Sequence, residues 1–127
     1  MPEPTGFSYA VLRLVPRVER GEQINVGVVV FCRPLRFLGV RTALDEQRAL
    51  ALWPGLDLDA VRHHLAGIER IAAGDPEAGP IAALDLTARF HWLVAPSSTI
   101  VQPSEVHAGI CSDPAGELDR LFAALVP

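Results

Sequence analysis

Two polar groupings in this 127-residue chain have the residue types and spacing that could do chemistry. The first is Arg20-Gly21-Glu22 followed by Asn25, a charged turn that runs straight into a strongly apolar stretch. The second is Arg89 with Pro96-Ser97-Ser98-Thr99, Gln102, Ser104 and His107, a hydroxyl-rich loop that could bind an anion beside an arginine. If Glu22, Asn25, Arg89 and His107 converge in space, they make the polar site of a small enzyme or of a nucleotide- or anion-binding protein. The candidate binding residues are therefore Arg20, Glu22, Asn25, Arg89, Ser98, Thr99, Gln102 and His107, with no catalytic residue assignable among them. For both groupings the plainer reading is a loop held by its own side-chain hydrogen bonds.

Other chemistries are poorly supplied. His63 and His64 are adjacent in a helical stretch and point about 100° apart, so they do not chelate one ion easily, and no HExxH or Cys/His cluster occurs. His64 falls on an apolar helical stripe and reads as a core histidine. Glycine-rich phosphate loops are absent, and the chain has no lysine to serve one. Ser97, Ser98 or Ser104 could be combined on paper with His91 or His107 and an acid, but no serine sits in a GxSxG elbow. Neither a metal nor a cofactor is expected.

The elements that must position these residues start with two long runs, Phe7 to Val15 and Ile24 to Cys32, rich in β-branched and aromatic side chains. Both faces of each run are largely apolar, which places the pair centrally in a sheet covered on at least one side. Gly21 should supply a left-handed turn in the eight-residue connection, and Gly27 marks a bulge or a close backbone approach. Arg13 interrupts an apolar face, so it should lie near the strand end or pair with a carboxylate such as Glu19 or Glu22.

Arg36 to Thr42 reads as a shorter outer strand, with Phe37, Gly39 and Arg41 on one face and Leu38 and Val40 on the other. Asp45 should cap a short helix that stops before Pro54-Gly55, and a longer one should run from Asp57 or Asp59 to about Ala73 on Val61, Leu65, Ile68 and Ala72. Asp85 could cap a third helix through Val94, although Arg89 to Val94 also alternates enough for a strand. Thr99 to Val101 and Glu105 to Cys111 read as extended. Asp113, Pro114 and the series Leu118, Leu121, Phe122 and Leu125 mark a C-terminal helix docked on the sheet.

Composition agrees with one packed unit. Half of the residues are hydrophobic, enough for a sizeable core in a single domain spanning residues 1–127, with an ordered part from about 7 to 126. No apolar run approaches a membrane span, and the opening residues Met1 to Gly6 lack the pattern of a signal peptide, so a cytoplasmic protein is expected. Cys32 and Cys111 lie in apolar runs and read as buried reduced thiols. All eleven basic residues are arginine. Residues 1–48 carry seven of them against five acids, whereas residues 49–127 carry four against ten. That polarity favours an oppositely polarised partner or head-to-tail contacts, and with a net charge of −4 it argues against nucleic acid; a homodimer is a further expectation.

Tyr9 to Val15 with Pro16, Arg20-Gly21-Glu22 leading to Asn25-Val26-Gly27-Val28-Val29, Phe90 and Leu93 with Ala95-Pro96, Val106-His107 and Gly109, and Asp113-Pro114 with Leu118, Leu121 and Phe122 occur in an order that resembles an uncharacterised bacterial family, domain of unknown function 3037. The likeness spans about Tyr9 to Val126. It implies a small stand-alone cytosolic protein without assigned activity. It further implies a gene neighbourhood with a kinase resembling the HipA toxin kinases, and hence a partner or regulator of that kinase. The combined expectation is an α+β domain, with a central antiparallel sheet built on a long N-terminal β-hairpin and packed helices including a C-terminal one. Its leading function is a non-enzymatic protein-interaction module.

Overall fold

Strand β1 (Thr5–Leu14) is paired along both of its sides, and every other strand is placed by it or by its neighbour. The structure, a computed structural model, describes residues 3–97 and 99–127. β1 runs antiparallel to β2 (Ile24–Cys32), which runs antiparallel to β3 (Phe37–Thr42). On its outer side β1 pairs with two short strands in succession, β4 (Val101–Pro103) and β5 (His107–Cys111). The result is an antiparallel sheet of five strands in the order β3-β2-β1-β4, with β5 continuing the edge beside β4.

Four helices complete the α+β fold: α1 (Glu46–Leu52), α2 (Leu58–Ala73), α3 (Leu86–Leu93) and α4 (Pro114–Leu125). Each begins at an aspartate, Asp45, Asp57, Asp85 and Asp113, whose carboxylate accepts the backbone N–H three residues on. These caps satisfy donors that the first helical turn leaves open. The stretch that could have been strand or helix is therefore helix, held at its start by Asp85 and buried through Phe90 and Leu93.

The sheet is covered on both faces. On one face Leu12, Leu14, Val29 and Phe31 pack with Val61, Leu65 and Ile68 of α2 and with Phe90 and Leu93 of α3; the rings of Phe31 and Phe90 stack 4.6 Å apart. On the other, Phe7, Val28, Val30 and Cys32 pack under Leu118 and Leu121 of α4. This two-sided burial explains why β2 carries hardly a polar side chain. It also explains why the alternation in β3 holds as read, with Leu38 and Val40 against α2 and Phe37 and Arg41 toward α4.

The expected irregularity at Gly27 is a β-bulge: Leu12 faces Gly27, but Arg13 faces Asn25, so Val26 is the extra residue. A bulge re-aims the strand beyond it. Val26 stays in the α2 and α3 core, whereas Asn25 turns to the α4 side and donates to the Leu125 carbonyl at 2.9 Å. A Cβ on Gly27 would lie 2.9 Å from the Arg41 carbonyl oxygen, which leaves no room for any side chain.

At Gly39 and Gly109 any larger residue would force neighbouring side chains to shift. A Cβ at Gly39 would meet Phe37 and the Leu118 methyl at 2.7 and 2.9 Å, and one at Gly109 would meet the Phe7 ring at 2.6 Å. Gly21 has the expected left-handed backbone, φ 71°. Because Leu121 is buried where α4 docks, Leu121→Ala should destabilise the fold by about 2 to 5 kcal/mol. Urea unfolding measures this loss, and an unchanged midpoint would mean that α4 does not dock through that residue.

Candidate functional site

The second polar grouping is divided by the fold. Arg89 faces the end of α2, where Nη1 donates to the carbonyls of Ile71 and Ala72 at 3.1 and 2.6 Å and Nε donates to Leu84 at 3.0 Å. It closes a helix C-terminus, a place that favours a cation. Thr99 donates to the Val101 carbonyl and Gln102 donates to the Thr99 carbonyl, so the loop is held from within. Ser98 lies outside the described residues.

The first grouping separates too. Arg20 and Glu22 pair with each other at 2.6 Å on the surface. Asn25 reaches α4 instead, on the face of the sheet opposite Arg89. His107 faces Tyr9 across β5 and β1, with ring centroids 5.2 Å apart, on the same side as α4. Glu22, Asn25, Arg89 and His107 are thus spread over a surface loop and both faces.

What the fold does assemble is a polar row centred on a residue that sequence reasoning treated as structural. Arg13 has Asn25 beside it on β2 and Gln102 beside it on β4. All three belong to the α4 side of the sheet, and Arg13 lies four residues along β1 from Tyr9, which itself faces His107. Arg13 does stand near the strand end, but Glu19 and Glu22 do not reach it; they pair with Arg17 and Arg20. Among the described residues, the Arg13 Nε is buried with no hydrogen-bond acceptor. An arginine cannot shed its charge to escape burial, so an unmatched N–H here carries a desolvation cost of about 1 to 3 kcal/mol.

Asn25 also lines an open groove of about 670 Å³ with Gln23, Arg48, Leu52 and Leu125, where the ends of α1 and α4 meet the start of β2. A separate apolar cavity of about 340 Å³ lies across the sheet, between Leu12, Ile68, Trp92, Pro96 and Val101. His64 lines it from an exposed position, so it is not the core histidine that the stripe suggested. Its stripe partners Val61, Leu65, Ile68 and Ala72 are buried as expected.

Among the described residues, no group of three or more His, Cys, Asp or Glu side chains could hold a metal ion, and no helix is long and apolar enough to cross a membrane. Cys32 and Cys111 are both buried and reduced. Burial, and then the neighbouring Cys32 thiol, push the Cys111 thiol above its usual range.

A family model for proteins of unknown function, DUF3037, matches residues 9–126. The chain belongs to the DUF3037 family. In this DUF3037 protein the matched span begins at Tyr9 and so includes Arg13, its two amide neighbours, His107 and all four helices. No curated protein and no solved structure matches the chain.

The two arginines predict opposite outcomes. Arg89→Met leaves the carbonyls at the end of α2 without donors and should cost about 1.5 to 3 kcal/mol, whereas Arg13→Met removes an unmatched buried N–H and should leave stability unchanged or raise it. Denaturant unfolding of both variants checks the contrast. At the same helix end, the Arg70 guanidinium holds the Asp75 carboxyl below the usual carboxylate range, helped by the Glu77 N–H. That contribution is present above the unfolded-state pKa and is lost as pH falls through the lower folded one. Wild type should therefore exceed Asp75→Asn in stability at neutral pH, and the difference should close on acidification, as read from unfolding midpoints across pH.

Proposed function

We propose that this DUF3037 protein is a non-enzymatic interaction module whose α4-side surface takes an acidic segment of a protein partner. The observation that carries this reading is Arg13: a guanidinium with a buried, unmatched N–H, set between two amides at the end of a sheet. A carboxylate brought by a partner would bind the accessible end of this half-buried guanidinium with charge-assisted hydrogen bonds, in the planar recognition of carboxylates that arginine does best. Tyr9 and His107 on the same side add amphipathic rings, and Asn25 links the row to the groove that holds Arg48. Tyrosine and arginine are the side chains that most often carry interface energy.

The partner is a HipA-like kinase, on the strength of the gene neighbourhood that the family resemblance implies. An acidic patch on that kinase would meet the basic first part of the chain, and charge matching of this kind governs encounter rate and specificity. Of the residues that could have formed an active centre, Arg89 closes the end of α2 and Arg20 and Glu22 pair with each other on the surface, which leaves Asn25 and His107 to the binding surface.

Co-purification of the tagged protein with the kinase at low and moderate salt tests the reading. The expected result is a stoichiometric complex that Arg13→Gln weakens by about 2 to 5 kcal/mol, while Arg20→Gln, exposed in its loop, binds as wild type. Failure of the kinase to bind at low salt would remove it as the partner. Equal binding by Arg13→Gln would remove the Arg13 surface.

A further inference from the structure

The two edges of the sheet are finished differently. At the β3 edge, the Thr42 N–H is capped by the Glu69 carboxylate at 3.1 Å, and the same oxygen accepts the Thr42 hydroxyl at 2.7 Å. Arg41 adds a charge beside it, paired with Asp119 at 2.7 Å and lying 4.5 Å over the Phe122 ring. Charged side chains and occupied N–H groups are the usual protection of an edge strand.

At the other edge, β5 pairs with β1 on its inner side, and among the described residues no strand pairs with its outer side. Its sequence His107-Ala108-Gly109-Ile110-Cys111 holds no lysine, arginine, acid or proline. Ile110 is 75% exposed, and Val106, just before the strand, is 46% exposed. Ala108 and Ile110 stand across from Ser8 and Gly6, on the sheet face turned away from α4, where the small partners give Ile110 nothing to pack on.

We propose that β5 pairs with the β5 of a second copy of this chain, antiparallel about a two-fold axis at Ala108, so that two sheets join into one. The residues themselves select this occupant and this register. With Ala108 facing its own copy, Ile110 of each chain faces Val106 of the other, so the two exposed apolar side chains at this edge cover each other twice. On the opposite face, Gly109 meets His107 of the second copy, a small residue against a ring. Glu105 falls opposite Cys111, so no like charges face each other across the axis. A two-fold pairing of this kind is self-complementary by construction and closes at two chains. It leaves the Arg13 row on the sheet face open, so the reading stands independently of any partner bound there.

Sedimentation velocity of the wild-type protein from low to high micromolar concentration tests it, beside Ile110→Lys and a control at an exposed apolar residue elsewhere, Val18→Lys. The expected result is a monomer–dimer equilibrium in wild type and Val18→Lys, and a dimer weakened about tenfold or more in Ile110→Lys, with a melting temperature unchanged at dilutions where both proteins are monomeric. Ala108→Cys tests the axis: mild oxidation should link two chains through that position, because each copy meets itself there, whereas Ser97→Cys should give no link. A wild-type protein that stays monomeric throughout, or an Ile110→Lys dimer as tight as wild type, would overturn the proposal. A dimer that forms without the Ala108→Cys link would overturn the register.

Discussion

One buried hydroxyl holds the outer strand of this sheet together. Between β4 and β5 the pairing on β1 is interrupted, and Val11 at the gap would be left with an open N–H and carbonyl. Ser104, 5% exposed, fills both needs: its Oγ accepts from the Val11 N–H at 2.9 Å and its own N–H donates to the Val11 carbonyl at 2.7 Å. The hydroxyl then donates to the Glu105 carbonyl at 2.8 Å. Leaving a buried amide unmatched costs about 1 to 3 kcal/mol, and here the amide lies in the strand that every layer touches. With the gap closed, β1 can be paired on both sides along nearly its full length, and helices can then pack on both faces of a continuous sheet.

That arrangement sets what the surface can offer. The bulge at Val26 turns Asn25 toward α4, while β4 brings Gln102 alongside, so Arg13 is flanked by amides on both neighbouring strands. Without the bulge, Asn25 would point into the apolar layer of α2 and α3. The break that Ser104 bridges also shortens the edge into pieces, one of which, β5, has exposed apolar side chains and no charges. A polar row on one sheet face and a bare edge beside it are therefore consequences of one topological choice. In neither place do the protein's own groups cover the surface fully.

Much of the scaffold could be read from the chain because its signals are local. Aspartates stand one residue before each helix, the apolar stripe of α2 recurs at helical spacing, and Gly21 and Gly27 sit where the backbone needs them. The site was less legible because its contacts are remote: Val11 and Ser104 are 93 residues apart, and Asn25 and Leu125 are 100 apart. Arg89 looked like an anion-binding group by its hydroxyl-rich neighbours, yet it serves the end of α2, a role visible only once the helix is placed. Arg13 looked structural because carboxylates follow it closely in sequence, but Glu19 and Glu22 belong to a loop whose own arginines take them. His64 kept helical spacing with the core but lies just past the buried edge of the stripe.

β1 is locked from both sides through Ser104, while the outer edge of β5 stays open. Site-resolved amide hydrogen exchange in dilute solution measures both at once. Val11 should exchange only through global unfolding, as slowly as the central residues of β2, and the outward-facing amides of β5 should exchange within the range of surface loops. Rapid exchange at Val11, or protection throughout β5 equal to that of β2, would contradict the account.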